Sequence, residues 1–411
     1  MAEIAILGYG TVGSGVVEVL RTNQNSIDRK ASQPIRVKYI LDIRAFPGSP
    51  VEHLITRDIN DILNDNDIKV VVEAMGGVEP AYTYVKKALL RGKSVCTSNK
   101  ELVAKHGAEL LDLARERNLN FLFEASVGGG IPIIRPLNLS LTADEIYEIT
   151  GILNGTTNYI LTKMSEENLD FDTCLKSAQE LGYAERDPTA DIEGWDSCRK
   201  IAILVSLAIG KQVDFENIHT EGITKITAAD IEYAKHLNAA IKLLASAKIK
   251  EKGVYAWVSP SIVPAKHPLA MVNDVFNAIY VKGNVIGEVM FYGPGAGKLP
   301  TASAVVADVV DAVKHLNRNI MHFWSNEKNQ ILELNSLISN KLVRVGIQCK
   351  IKTREAIHSI FGNVRILDIF SDELGFIANN LSEAVVDALL KELRPHVNDI
   401  RSILRIEGEL G

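Results

Sequence analysis

The sequence predicts an α/β chain. A parallel, doubly wound sheet forms its N-terminal part, an α+β region follows, and a small strand-and-helix module closes it. Three observations predict this. Residues 3–8, EIAILG, read as a buried strand that passes through Gly8, Gly10 and Gly13, spaced G-x-G-x-x-G, into the helical VVEVLRT. Apolar strand runs then alternate with helical segments to about residue 130, the pattern of a parallel sheet. Beyond residue 340 the order is strand-helix-strand-strand-helix-strand, that of a ferredoxin-like module.

At 411 residues, 46% hydrophobic and 23% charged, the chain has the size of two or three globular domains with sizeable cores. The net charge of -6 comes from 51 acidic against 45 basic residues with no Lys/Arg-rich run, which argues against nucleic acid and for small molecules as partners. Cys96, Cys174, Cys198 and Cys349 lie far apart without a C-x-x-C pair, so neither a disulfide framework nor a cysteine zinc site is expected. The opening MAEIAILGYG goes directly into a strand, without the basic region of a signal peptide, and no apolar run approaches about 18 residues. A cytoplasmic chain with free thiols and no membrane contact is the expectation.

The glycine turn lets the backbone approach a pyrophosphate seated on the amides of a helix N-terminus, against the alternative of a plain tight turn. Thr11 and Val12 then lie against the cofactor. The second strand, RVKYILDI at 36–43, ends near Asp42 and Arg44, which pull in opposite directions. An acid there accepts from the ribose 2'-hydroxyl of NAD, whereas an arginine accommodates the 2'-phosphate of NADP. A polar insertion, NQNSIDRKASQ, separates this strand from the glycines, and the choice between NAD and NADP stays open. IKVVVEAMGG at 68–77 is a buried strand, a helix covers 79–91, and KSVCTSNKE at 93–101 is the next strand. Lys100 stands just beyond its carboxyl end, where such sheets place their ligands. NFLFEASVGGGIP at 120–132 reads as the strand that closes the cofactor half, with Glu124 buried in it. A buried carboxylate needs a cation or strong donors, here a hard cation on glycine-turn carbonyls, a lysine, or backbone amides.

Residues 131–299 read as a mixed sheet covered by helices. Its parts are YEITGILNGTTNYIL, a long helix around ITAADIEYAKHLNAAIKLLASAKI, and the strands GVYAWVSPSIVP and NAIYVKG. Within this region, residues 178–200 gather Glu185, Asp187, Asp191, Glu193 and Asp196 against Arg186, Arg199 and Lys200. The apolar IAILVSLAIG that follows is a core helix. Asp196, Lys200, Ile203, Leu204 and Leu207 share one face of it, so Lys200 is partly desolvated beside a carboxylate one turn earlier. An ordinary ion pair on a solvated face is the plainer alternative. GPGAGKLPTASAVVADVV at 293–310 fails as a P-loop, because the required first glycine falls on Tyr292 and the Ser/Thr on Leu299. Pro300 fits a helix entry. Residues 319–340 read as a polar linker.

The string Ala178, Gly182-Tyr183-Ala184, Asp187-Pro188, Asp191-Ile192, Gly194, Asp196, Lys200 resembles the signature of homoserine dehydrogenases at each fixed position. The resemblance implies NAD(P)-dependent interconversion of L-homoserine and L-aspartate 4-semialdehyde. It implies Lys200 as proton donor, with Lys100, on the family's Asn-Lys element, as a second catalytic lysine beside the nicotinamide. Glu185, Asp191 and Asp196 are implied as substrate ligands. Gly8, Gly10, Thr11, Val12, Gly13, Lys100, Gly182 and Gly297 are implied as the cofactor site. A monovalent cation, sodium, is implied on Glu124 and the carbonyls of Val127, Gly129 and Ile131. A homodimer is implied through the middle sheet. The implied division is a Rossmann domain at 1–130 completed by 300–318, a catalytic and dimerisation domain at 131–299, the linker, and an ACT-like domain at 341–411. In that last region Lys350-Ile351-Lys352-Thr353 replaces the usual acidic-Pro-Gly turn, leaving effector sensing and dimerisation as equal readings. Other readings are another NAD(P)-dependent amino-acid dehydrogenase, which leaves the signature string unexplained, and a catalytically inactive regulatory protein, which leaves the two lysines unexplained.

Overall fold

The structure, a computed structural model, describes residues 1–320 and 324–410. It divides into two compact units. One comprises Met1–Ile149, Arg199–Asn217 and Asn277–Gln330, and the other Thr150–Cys198, Ile218–Phe276 and Ile331–Gly411.

The first unit opens with β1 (Ala2–Leu7), α1 (Thr11–Thr22), α2 (Gln24–Lys30), β2 (Ile35–Leu41), β3 (Ile55–Thr56) and α3 (Ile59–Leu63). It continues through β4 (Ile68–Glu73), α4 (Ala81–Leu90), β5 (Ser94–Thr97), α5 (Lys100–Glu116), β6 (Phe121–Leu122) and α6 (Ala125–Gly128). Its strands form one parallel sheet in the order β3-β2-β1-β4-β5-β6. That is the doubly wound dinucleotide order, whose reversal between β1 and β4 opens a crevice at the carboxyl ends of the strands. Strands covered on both faces read as continuous apolar runs, as AEIAIL and IKVVVE do. Ile4, Ile6, Val70 and Val72 share a core with Val16 and Leu20 of α1.

α2 forms within the polar insertion, and Asp28 ties it to β2 by accepting from Ile35 N at 3.0 Å. The expected strand at 120–132 is broken after Leu122, because Glu124 has helical φ and ψ of -49° and -44° and α6 follows. A short buried apolar run does not distinguish strand from helix by pattern alone.

The chain goes on through β7 (Ile146–Ile152), α7 (Gly155–Glu167), α8 (Phe171–Glu180), α9 (Thr189–Ile192), α10 (Trp195–Ile209), β8 (Lys211–Gln212) and β9 (His219–Thr220). Then come α11 (Ala228–His236), β10 (Ala239–Lys250), β11 (Gly253–Pro264), β12 (Phe276–Gly283), β13 (Gly287–Pro294) and α12 (Lys298–Lys314). Val305, Val309 and Val313 of α12 join the core beneath β1 and α1, as expected for a helix returning to the cofactor sheet.

The long helix expected over 226–249 is two elements. A capping box between Thr227 and Asp230 starts α11, and Asn238, at φ 51°, turns the chain out of it. The remainder is β10, paired antiparallel with β11 from Ala239↔Pro264 to Lys250↔Gly253. The Ala, Leu and Lys content of IKLLASAKI favours helix, but a twelve-residue ladder buried through its middle on both faces overrides that preference.

The last elements are β14 (Ser325–Lys328), β15 (Ile338–Gly346), α13 (Lys350–Phe361), β16 (Ile366–Leu367), β17 (Glu373–Ser382), α14 (Glu383–Leu393) and β18 (Ile400–Ile406). In the second unit the strand order runs β10-β11-β18-β15-β17-β16. The final four strands and two helices have the ferredoxin-like connection order. Their sheet joins the preceding one, since β18 pairs parallel with β11 at Ser261↔Arg405. Val343, Leu374 and Phe376 pack there against Ile357 of α13 and Leu390 of α14.

Of the expected linker, residues 321–323 lie outside the described residues, as does Gly411 of the C-terminal region. The remainder holds structure: β14 pairs with β8, and Trp324, 1% exposed, packs edge-on against Phe123 and donates to Gln212 Oε1 at 2.6 Å. Among the described residues the four cysteines are free, no helix is long and apolar enough to cross a membrane, and no cluster of three or more His, Cys, Asp or Glu residues is arranged to hold a metal.

Candidate active site

In the first unit the chain leaves β1 through the glycine turn. Gly8 has φ 93°, and a Cβ on Gly13 would lie 1.9 Å from the Gly8 carbonyl oxygen, so both positions require glycine. A Cβ on Gly10 would meet nothing within 4 Å, which leaves open space over the first turn of α1, where Thr11 and Val12 stand. Free amides at a helix N-terminus suit a pyrophosphate. Asp42, just past β2, accepts from Tyr9 N at 2.8 Å and so ties the second strand to this turn.

The same sheet edge holds a buried network that the sequence did not disclose. Glu73, fully buried at the end of β4, accepts from Met75 N at 2.8 Å and from the Thr97 hydroxyl at 2.5 Å. Thr97 in turn accepts from Asn99 N at 2.9 Å, and Asn99 donates to Gly77 O at 2.6 Å while capping α5 through Leu102 N. Burial pushes the Glu73 carboxyl above its ordinary pKa. This network fixes the turn from which Lys100 opens α5.

Lys200 lies in the first unit on α10, 8% exposed and followed by the buried Ile201, Ala202, Ile203, Leu204 and Val205. The solvated-face alternative is therefore excluded. Glu101 and Arg199, each adjacent in sequence to one of the two lysines, form an ion pair at 3.4 Å. That contact brings the first turn of α5 and the Lys200 turn of α10 together, although the two lysines are 100 positions apart.

The second unit holds the acids. Asp196 is 2% exposed, Asp191 half-buried, and Glu185 exposed on the loop after α8. One residue organises two of them. Asn154 Nδ2 donates to Asp191 Oδ1 at 2.7 Å and to Asp196 Oδ2 at 3.0 Å, while its Oδ1 accepts from Thr157 N at 2.9 Å and caps α7. The clamp gives no signal in the sequence, because the two acids lie 37 and 42 positions from Asn154. Its neighbour Thr156 donates to Tyr183 O at 2.6 Å, fixing the loop that carries Gly182, at φ 75°, and Glu185.

Glu124 is held by three backbone amides. Its Oε1 accepts from Ile133 N at 2.6 Å and Ile134 N at 2.9 Å, and its Oε2 from Arg135 N at 2.8 Å. Backbone amides, one of the alternatives open in the sequence, are therefore among its partners. Asp308 of α12 accepts from Glu124 N at 2.9 Å and from the Arg135 guanidinium, and burial pushes its carboxyl up to about 8. The turn at Val127, Gly129 and Ile131 packs on the loop bearing Gly297, since Gly130 N donates to Pro294 O at 3.1 Å. Gly297 itself precedes α12 at φ 119°. Asp308 and Arg135 gave no sequence signal, because the partners are 173 positions apart.

The chain is similar to known proteins along nearly its whole length. A family model for homoserine dehydrogenase matches residues 132–310, and one for the homoserine dehydrogenase NAD binding domain matches residues 8–124. The chain is 37% identical to the homoserine dehydrogenase of Bacillus subtilis (strain 168), over 99% of this chain and 98% of that one. With the homoserine dehydrogenase of Synechocystis sp. it shares 46% identity, over 76% of this chain and 73% of that one. The solved homoserine dehydrogenase of Thiobacillus denitrificans superposes with a TM-score of 0.90 at 35% identity, covering 100% of this chain and 99% of that one. A hyperthermophilic archaeal homoserine dehydrogenase solved in complex with NADPH gives 0.66 at 30% identity, covering 76% and 97%. With a dinucleotide crevice, two lysine-bearing turns held together and relatives alike over nearly its whole length, the chain belongs to the homoserine dehydrogenase family.

Proposed function

We propose that, in the interconversion of L-homoserine and L-aspartate 4-semialdehyde, Lys200 exchanges the proton at the substrate's C4 oxygen with Lys100 beside it. The observation that carries this is the Glu101–Arg199 ion pair, which joins the two lysine-bearing turns, together with the burial of Lys200. Reduction of an aldehyde develops an alkoxide, which needs a donor within hydrogen-bond reach, and a half-desolvated ammonium meets that need. NAD(P), bound over the glycine turn at Gly8, Gly10, Thr11, Val12 and Gly13, supplies or takes the hydride. Gly182, Gly297 and Lys100 complete the proposed cofactor contacts.

Asp191, Asp196 and Glu185 take the substrate ammonium in this reading. Its support is the Asn154 clamp, which holds two carboxylates as a fixed pair of acceptors. The direct test follows nicotinamide absorbance with L-homoserine and each cofactor, against L-aspartate. Turnover of L-homoserine alone is expected, and turnover of L-aspartate in its place overturns the assignment.

The reading also includes the family's monovalent cation, sodium, on Glu124, whose Oε2 accepts from Arg135 N alone among the described residues, and on the carbonyls of Val127, Gly129 and Ile131; it enters no proton or hydride step. Dialysis into sodium-free buffer is expected to lower activity or melting temperature, and no change in either counts against the cation. The proposal also takes the chain as a cytoplasmic homodimer, with the C-terminal ferredoxin-like module as an ACT-like domain.

A further inference from the structure

Glu73 and Thr97 are partners in the β4–β5 ladder, so the carboxylate that ends one strand lies beside the hydroxyl that ends the next. Both are fully buried. Three donors aim at the two carboxylate oxygens: Met75 N at 2.8 Å and Gly76 N at 3.3 Å on Oε1, and the Thr97 hydroxyl at 2.5 Å on Oε2. Hydrogen bonds of this kind favour the charged form, against the desolvation that raises the Glu73 pKa. The Thr97 oxygen is itself committed, since it accepts from Asn99 N at 2.9 Å and its one proton goes to Glu73.

These bonds hold two turns that have little stiffness of their own. The chain leaves β4 through Gly76 and Gly77, both left-handed at φ 79° and 69°, and a glycine pair turns as readily in other directions. It leaves β5 through Ser98 and Asn99 into Lys100, the first residue of α5. Asn99 closes the circuit: its Nδ2 donates to Gly77 O at 2.6 Å, and its Oδ1 accepts from Leu102 N at 3.1 Å. Glu73 thus reaches the backbone that orients Lys100 through a single intervening side chain.

We infer that Glu73 is a positioning residue for Lys100: as a buried carboxylate it locks the turns after β4 and β5 into one piece and so fixes where the Lys100 amine stands during turnover. The inference deepens the proposed function and rests on its placing of Lys100 at the reacting atoms. The role is particular to a carboxylate. An amide of the same shape has one accepting oxygen and one donating nitrogen, so whichever way it is turned it sets an N–H against a donor of the circuit. A misplacement of about 1 Å at a reacting group costs up to about 100-fold in rate, so a small slackening of these turns reads out in kcat.

Glu73→Gln in the full chain is expected to lower kcat for L-homoserine by at least about tenfold. Calorimetry on the same variant, titrated with NADPH and with NADH, is expected to find each Kd within about threefold of native. Thr97→Val removes the hydroxyl at the same size and is expected to match Glu73→Gln, whereas Thr97→Ser restores the hydroxyl and is expected to stay within about threefold of native kcat. That pair decides the matter should Glu73→Gln not fold. A double-mutant cycle separates positioning from general disruption. In a Lys100→Ala background, adding Glu73→Gln is expected to cost less than about threefold further in kcat, because residues that act as a unit are not additive. A native kcat in Glu73→Gln, a loss confined to cofactor Kd, a full loss that persists without the Lys100 amine, or a Thr97→Ser variant as impaired as Thr97→Val each overturns the inference. A native kcat in Lys100→Ala would instead overturn the proposed function of that lysine, and the inference with it.

Discussion

Lys200 and Asn154 show how differently two site residues announce themselves. Lys200 stands in a fixed-spacing string and begins an apolar helix, so its candidacy for the proposed site and its burial are legible in the sequence. Replacing it with alanine is expected to lower kcat by about 100-fold or more while cofactor binding, followed by nicotinamide fluorescence, stays within error. Near-native turnover would remove it from the mechanism. Asn154 is different, because its partners lie 37 and 42 positions away and only the fold brings them to its amide. Asn154→Ala frees Asp191 and Asp196 from a common donor. The expected outcome is a KM for L-homoserine raised by about tenfold with the KM for cofactor unmoved, and a change confined to cofactor KM would refute the clamp. Glu124 taught the opposite lesson: its burial was legible, but whether a cation or amides compensated it depended on where the chain at 133–135 returned.

At the scale of elements, β10 is instructive because it carries a buried lysine within a strand that reads as helix. Lys242, 2% exposed, spends its three ammonium donors on Val272 O at 2.5 Å, Asn273 Oδ1 at 2.9 Å and Asn158 Oδ1 at 3.2 Å. Asn158 of α7 also donates to Asp274 O at 3.0 Å and Phe276 O at 3.1 Å, so helix, strand and the 272–276 segment share one polar joint. Desolvation lowers the Lys242 pKa from 10.5 to about 8. The sign follows from linkage. Between about 8 and 10.5 the unfolded chain binds more protons at this site than the folded one, so the contribution of Lys242 to stability rises with pH and is lost as pH falls through about 8. The unfolding free energy of the native chain relative to Lys242→Met is therefore expected to increase across that window, by up to about 3 kcal/mol. Paired denaturant titrations measure it, and a pH-independent difference would show that the amine is not desolvated. A second buried joint, Arg344 with Asp230 and Glu373, ties α11 to the ferredoxin-like strands in the same manner.

The whole molecule is two compact units drawn from interleaved stretches of chain, and that interleaving limits what a linear reading reaches. A boundary near residue 130 and another near 340 follow from motif order, yet 199–217 and 277–330 fall in the compact unit that contains the cofactor sheet, and the stretch from 331 onward falls in the other unit. The exposed Ile286, Met290 and Tyr292 along the β12–β13 hairpin are apolar surface that a second copy would cover in the proposed homodimer. Light scattering on the eluting peak is expected to give twice the 45.1 kDa chain mass, and Met290→Lys to shift it toward that of one chain. A native protein that elutes as a monomer at micromolar concentration would dismiss the assembly.

The sequence by itself determined the doubly wound sheet, the glycine turn and the burial of Lys200, because each depends on local pattern: continuous apolar strands, residues that tolerate a left-handed turn, and an apolar run along one helix. The tertiary structure alone decided which side of the α11–β10 junction was helix, which donors met Glu124, how Glu73 and Asn154 brace the site, and how Asp42 and Arg44 bond to one another. Those outcomes rest on hydrogen bonds and burial between residues far apart in the chain, and a buried polar group takes whichever partner the fold returns to it.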